Sequence, residues 1–574
     1  MKCTGRFLIL LFLSVTLASA EILNKGWWKD TVFYQIYPRS YMDSDNDGVG
    51  DLKGIIKKLD HIKDAGIGAV WLSPINTSPM VDFGYDISDF KDIDATFGTI
   101  KDFEDLVAYA KKINLKVILD LVPNHSSDQH YWFQQSLKGI GKYKDYYVWT
   151  KGKEGNKQPP NNWLSVFSGP AWTYVKSRDE WYLHQFEYRQ PDLNFTNPDV
   201  RREMEDIILY WLDKGVDGFR VDSATFVYEA DLSENEPRSN APGVASNHWN
   251  YLIHNCTLDQ PKSYELIQSW RNLLDDYANK HNHEEKVLMT EVYTNLLNTT
   301  KYYNYGSHIP FNFNFIIDVN ATSSATDFKN VIDKWMNAMP KNAVANWVIG
   351  NHDRRRVASR YLGRADQMTM LTMILPGVGV TYNGEEIGME DNNDITFEET
   401  KDPQGILAGK ENYKKESRDP CRTPFQWDNT TNAGEVKPPS PTLEKERSKE
   451  LNLKKQTEAA ESHYKLYQSL TSMRKTSKAL KDGDLKTIVL KNEILAVVRN
   501  EASEVVTLLI NFSNTTKHTV DLSKIVPSGE SVVKLRSVGA NVKVGSNNSA
   551  MKVSSKYYSP LMTASLAMLY HSNS

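Results

Sequence analysis

Three acids, each following a short apolar run, carry the first chemistry legible in this chain: Asp222 in GFRVD, Glu291 in VLMTEV and Asp353 in WVIGNHD. A parallel strand buried on both faces reads as a short apolar run, and an α/β barrel sets its reactive groups at the C-terminal ends of such strands. Three carboxylates from three strands would then converge in one mouth. Two close carboxylates in different protonation states are the minimum equipment for breaking a glycosidic bond. Arg220 lies two residues before Asp222, so it faces the same side of its strand and its cation can orient the acid. One acid at a strand end is ordinarily a solvated charge; three in step call for a site.

The elements that would position them are periodic. Apolar runs at 31–38, 69–75, 116–122, 218–223, 287–292, 311–317, 345–350 and 378–384 alternate with stretches of helical spacing such as 52–65 and 102–112. Eight such units with polar residues at each strand end predict a (β/α)8 TIM barrel rather than a doubly wound sheet. The third and fourth runs are separated by far more chain than a helix needs, and 125–194 is rich in Trp, Tyr, Pro and Gly. It is expected to form an inserted subdomain, dividing the barrel into 21–124 and 195–480. The stretch 437–450 (KPPSPTLEKERSKE) reads as an exposed loop and 456–480 as a helix. Four β-type runs within 481–574 predict a C-terminal antiparallel β-sandwich.

Residues 1–20 have the form of a signal peptide: Lys2 and Arg6, an apolar run, then Ala18-Ser19-Ala20. Its loss would take the formal charge of −4 to −6 by removing two cations. No basic block points to nucleic acid, and no later run is long enough for a transmembrane segment. A secreted, extracellular protein is expected. Ten N-x-[ST] sequons agree. Asn124 and Asn194 fall within probable active-site motifs, which leaves Asn76, Asn255, Asn298, Asn320, Asn429, Asn511, Asn514 and Asn547 as glycosylation candidates. Cys256 and Cys421, the cysteines left after cleavage, could form one disulfide or stand as free buried thiols.

Taken in order, QIYPRSY (35–41), DLVPNHSS (120–127), QPDLN (190–194), GFRVD (218–222), TEVY (290–293) and GNHD (350–353) resemble the α-amylase superfamily of glycoside hydrolases, most of all its secreted insect α-glucosidases (maltases). The resemblance runs from about residue 27 to the C-terminus and is weakest after 432. It implies a retaining exo-α-glucosidase acting on maltose, sucrose and short malto-oligosaccharides, with no organic cofactor. Asp222 matches the nucleophile, Glu291 the general acid/base and Asp353 the carboxylate that stabilises the distorted transition state. His125 and His352 match histidines that hydrogen-bond the reacting glucose, and Tyr85 matches the aromatic platform beneath it. Asp82 and Arg418 match a pair that closes the pocket around a non-reducing end. Ser223 stands where relatives favouring α-1,4 links carry Ala and those favouring α-1,6 links carry Val; its small size leans toward α-1,4. Phe83 and Cys256 also stand where relatives often differ.

In DSDNDGVGD (43–51), Asp43, Asp45, Asp47 and Asp51 fall at alternating positions, and Gly48 permits a sharp turn. Hard oxygen ligands at this spacing suit Ca²⁺, although Gly54 stands where an EF-hand needs its Glu. The resemblance implies one structural calcium, with the Val49 carbonyl as a further ligand. The same fold also serves isomaltases, sucrose isomerases and transglucosylases, as well as non-catalytic transporter subunits and binding glycoproteins. The non-catalytic transporter subunits lack the acids this chain retains.

Overall fold

Parallel strands form at seven of the eight apolar runs, and the barrel they build is visible in a computed structural model that describes residues 22–430, 433, 448–513 and parts of 516–572. The strands are β1 Val32–Ile36, β2 Ala69–Leu72, β3 Lys116–Leu121, β4 Gly218–Val221, β5 Val287–Thr290, β6 Ile309–Pro310, β7 Asn346–Val348 and β8 Val378–Tyr382. They pair in the order β6–β5–β4–β3–β2–β1–β8–β7. Asn346 bridges the two free ends: its Nδ2 donates to the Pro310 carbonyl at 2.6 Å and its Oδ1 accepts from the Asn312 amide at 2.7 Å. A side chain thus replaces the missing ladder bonds, satisfying backbone groups that burial would otherwise strand.

Helices follow the strands: α1 Leu52–Asp64, α2 Ile100–Lys112, α3 Pro198–Asp213, α4 Pro261–His281, α5 Leu296–Lys301, α6 Ala325–Ala338, α7 Ala365–Ile374 and α8 His463–Thr476. Their starts are chemically marked. Thr99 with Asp102 and Ser324 with Asp327 form reciprocal capping boxes on α2 and α6, and Asp51 caps α1 by accepting from Gly54.

Strand parity decides where each side chain goes. Phe33, Ala69, Trp71, Ile118, Val287, Met289, Val348, Val378 and Val380 pack together in the barrel interior. Their neighbours Tyr34, Val70, Val117, Phe219, Leu288 and Trp347 belong to the layer beneath the helices. Continuing the interior parity along the chain places Asp120, Arg220, Asp222 and Glu291 above the apolar plug.

Two runs fold differently from their sequence reading. The sixth strand is only Ile309–Pro310, and Asn314–Ile317 is a short helix. The alternation in FNFNFII arises because Phe311 and Phe313 both dip into the interior cluster, not because the segment is extended. The expected helix over 456–480 is three: Leu453–Glu458, α8 and Lys478–Asp482, restarted by Ser462 and Ser477, whose side chains cap the new N-termini.

Between β3 and β4, the short strands Trp149–Thr150, Trp172–Val175 and Glu180–Leu183 form a separate antiparallel sheet. Beyond α8 an antiparallel five-stranded sheet begins with the hairpin Asp484–Leu490 and Ile494–Glu501, turned by left-handed Lys491 and Asn492. Arg499 donates to the Ile374 carbonyl and Phe512 packs on Phe328, tying this sheet to the barrel helices. Among the described residues, no helix is long and apolar enough to cross a membrane. The predicted signal segment 1–20, the Pro-rich residues 437–447, Asn514 and Asn547 lie outside the described residues.

Candidate active site

Arg220 organises the mouth of the barrel. β3 and β4 pair with Asp120 opposite Arg220, and Met289 of β5 lies on its other side. Its guanidinium is 1% exposed and donates to Asp120 at 2.8 Å and Asp222 at 2.6 Å, while its other terminal nitrogen forms an ion pair with Glu291 at 2.9 Å and the Trp71 ring lies 4.8 Å away. Three carboxyls share one cation, and a planar fork of five donors is what such sharing requires. A serine joins the same pair of acids: the Ser223 amide donates to Glu291 Oε2 at 3.0 Å and its hydroxyl to Asp222 Oδ2 at 2.9 Å.

Burial sets Glu291 apart. Desolvation, reinforced by the charges of Asp222 and Asp353 and opposed by Arg220, pushes its pKa up to about 8, so it holds a proton at neutral pH. Asp120, also buried, is pushed up to about 7 while donors from Tyr85, Trp71 and Arg220 surround it. Asp353 goes the other way. Burial works against its ionisation, yet Arg422 at 2.9 Å and Arg418 at 3.2 Å hold its carboxyl well below the usual carboxylate range. His352 adjoins it at 3.4 Å, but burial drives that imidazole well down and keeps it neutral, so the two arginines carry the effect.

The tautomer of His352 follows from its partners. Gln35 Nε2 donates to His352 Nδ1 at 2.7 Å, which leaves the ring hydrogen on Nε2, facing the Tyr85 hydroxyl at 2.7 Å. Tyr85 in turn donates to Asp120 at 3.1 Å. The Tyr85 ring lies within 5° of parallel to that of His352. His125, pushed down to about 4 by burial, is also neutral and meets Gln190 Nε2 at 3.2 Å.

One end of the site is plugged by Arg418, from the segment after β8. Its guanidinium contacts Asp82 at 2.7 Å, Asp353 and Asp402. Burial raises Asp82 to about 6 against the pull of Arg418 and Arg422. Asp82, Tyr85, His125, Asp222, Glu291, His352, Asp353 and Arg418 line a single cavity of about 460 Å³; Arg220 lies behind its wall. Asp120, Asp402, Gln190 and Arg422 joined the site without being singled out from sequence. Asp120 had left a signal, since an acid inside the apolar run KVILDLV faces the barrel interior; Asp402 and Arg422 sit in a long loop with no periodicity.

Carboxylate oxygens of Asp43, Asp45 and Asp51 lie within 4.8 Å of one another in the loop after β1. Asp47 lies outside this group, and its Oδ1 accepts the Val49 amide at 2.7 Å. The three-carboxylate oxygen set fits a hard cation such as Ca²⁺.

The glycan candidates divide. Asn255, Asn320 and Asn429 are exposed, and Asn298 is half-buried with its Nδ2 bonded to Asp259. Asn76 and Asn511 are corrections: both side chains are buried, and their amide nitrogens donate to the Phe90 and Thr516 carbonyls, leaving no room for a sugar. Cys256 and Cys421 are free buried thiols.

A family model for the α-amylase catalytic domain matches residues 35–483. Maltase 1 of Drosophila virilis is 48% identical over 514 residues, covering 88% of this chain and 81% of that one. An α-glucosidase of Apis mellifera is 42% identical over 552 residues, covering 95% and 96%. Among solved structures, the α-glucosyl transfer enzyme XgtA superposes with a TM-score of 0.81 at 31% identity, over 95% of this chain and 99% of that one. With the acid-rich mouth on an eight-stranded parallel barrel, these matches show that the chain belongs to the α-amylase family of glycoside hydrolases.

Proposed function

We propose that this protein is a retaining exo-α-glucosidase that removes the terminal α-linked glucose of maltose, sucrose and short malto-oligosaccharides. The observation that carries the reading is the Arg418–Asp82 pair closing the cavity beside the Arg220-bound acids, so that a sugar chain enters by its end. Asp353, ionised between Arg418 and Arg422, accepts hydroxyl hydrogens of the bound glucose. His125 and His352, both neutral, line the cavity beside that ring, His352 sharing its Nε2 hydrogen between the Tyr85 hydroxyl and the sugar, and Tyr85 packs against its face.

Asp222 attacks the anomeric carbon as Glu291 gives its proton to the leaving oxygen, forming a covalent glucosyl ester and free aglycone. Water then adds to the same carbon, its proton passes to Glu291, and the ester's electron pair returns to Asp222. Two inversions leave the α configuration. A sugar hydroxyl in place of water gives glucosyl transfer, which the likeness to an α-glucosyl transfer enzyme keeps as the second reading.

Around this chemistry we place one structural calcium on Asp43, Asp45 and Asp51, cleavage after residue 20, secretion, and glycans on exposed sequons. The central test is Asp222→Asn with proton NMR of fresh wild-type product. The variant should lose turnover with its fold intact, and α-glucose should appear before β-glucose. Wild-type maltose hydrolysis by the variant, or β-glucose first, overturns the reading.

A further inference from the structure

Ser223 touches both reacting carboxyls and has no part in the proton and sugar transfers above. Its backbone φ is +47°, in the left-handed region that residues with a side chain rarely occupy. The turn is held there from both sides: the Asp222 amide donates to the Leu121 carbonyl, the Ala224 amide to the Glu291 carbonyl, and the Ser223 amide to the Glu291 carboxyl. Strain that its surroundings over-determine is a mark of a functional position. The product is a buried hydroxyl 2.9 Å from Asp222 Oδ2, while Oδ1 is occupied by Arg220 at 2.6 Å. Oδ1 thus pairs with a cation and Oδ2 with a neutral hydroxyl, which leaves Oδ2 the more nucleophilic oxygen.

We propose that the Ser223 hydroxyl is a positioning group that sets how fast the glucosyl ester on Asp222 breaks; this rests on Asp222 being the nucleophile. In the first step the C1–Oδ2 bond forms, the C1–O bond to the aglycone breaks and Glu291 supplies its proton, so Oδ2 loses charge and the serine's hydrogen bond weakens. In the second, water's oxygen bonds to C1, its proton goes to Glu291, and the C1–Oδ2 pair returns to the carboxylate, where the hydroxyl meets the developing charge. The hydroxyl restrains ester formation and promotes ester hydrolysis. A hydrogen bond to a charged partner makes this worth about tenfold or more in rate.

The test uses a fluorinated α-glucosyl fluoride that forms a slowly hydrolysing ester. Full-length wild type, Ser223→Ala and Ser223→Gly are labelled, freed of reagent and followed for return of activity, and the labelled peptide is sequenced. Gly tolerates the left-handed backbone, so agreement of the two variants separates the hydroxyl from strain. Support requires reactivation about tenfold slower in both variants, with kcat/KM for maltose above wild type. Unchanged reactivation, or a kcat/KM at or below wild type, overturns the proposal and leaves Asp222 in its role. A label on any residue other than Asp222 overturns the nucleophile reading and this proposal with it.

Discussion

Replacing Glu291 by Gln tests the electrostatic core of the site. The amide is nearly isosteric and keeps one oxygen to accept from the Ser223 amide or from Arg220, so the fold should survive. It has no proton to give. Burial and the charges of Asp222 and Asp353 push the wild-type acid up to about 8, so kcat/KM for maltose should hold through neutral pH and then fall ~tenfold per pH unit above that value. Losing a general acid costs about 10²- to 10⁴-fold where the leaving group needs protonation. The leaving group of maltose is glucose, a poor alkoxide; that of α-glucosyl fluoride is fluoride, which needs little help. Values of kcat/KM on both substrates across pH 4 to 10, which report ester formation and not the later water step that also uses Glu291, should show E291Q crippled on maltose, less than about tenfold down on the fluoride, and without the alkaline limb. Equal losses on both substrates would refute the acid assignment. An alkaline limb that persists in E291Q would move the titration to Asp120, which shares Arg220 and is pushed up to about 7.

Arg418→Ala should both open the closed end and destabilise the protein, because Asp82 and Asp402 are buried and Asp353 nearly so. Stranding buried carboxylates costs about 3–5 kcal/mol, read as a lower Tm together with a raised KM for maltose. Chelation by EDTA should lower Tm by a few degrees and leave activity at low temperature unchanged, and Asp43→Asn should show that lower Tm without responding to EDTA; at 100 Kd of free ion the stabilisation is about 2.7 kcal/mol. Enzymatic deglycosylation in heavy-oxygen water should label exposed Asn255, Asn320 and Asn429 and never Asn76 or Asn511, whose side chains are buried and bonded.

What could be read from the chain follows from how locally each feature is encoded. Strands buried on both faces must be continuously apolar, so β1 to β5 stand out, and the acids that end β4 and β5 are marked by the change to polar. β6 escaped because two residues make no pattern, and the period-two aromatics after it imitate a strand while serving packing. Asp120 lay inside a quoted motif, but its role needs the register that sets it opposite Arg220, and register is a property of two strands. Alternation put Asp47 with the calcium candidates, while the cluster of carboxylate oxygens that the loop builds joins Asp43 and Asp45 to Asp51, a grouping set by how the loop turns rather than by spacing.

Charge counting carries the argument one step further than position. Asp120, Asp222 and Glu291 surround Arg220, and all are buried. One cation cannot neutralise three buried carboxylates, so the cluster must retain a proton at neutral pH, whatever its detailed geometry. The sequence alone supplies the acid excess at the strand ends. Choosing the proton's seat needs the surroundings. Asp222 makes the shortest of the three contacts with the Arg220 cation, at 2.6 Å, and Asp120 faces Tyr85 and Trp71 rather than the open cavity. Glu291 combines a raised pKa with a place on the cavity wall, so the proton the cluster must keep is also the one a leaving oxygen can reach.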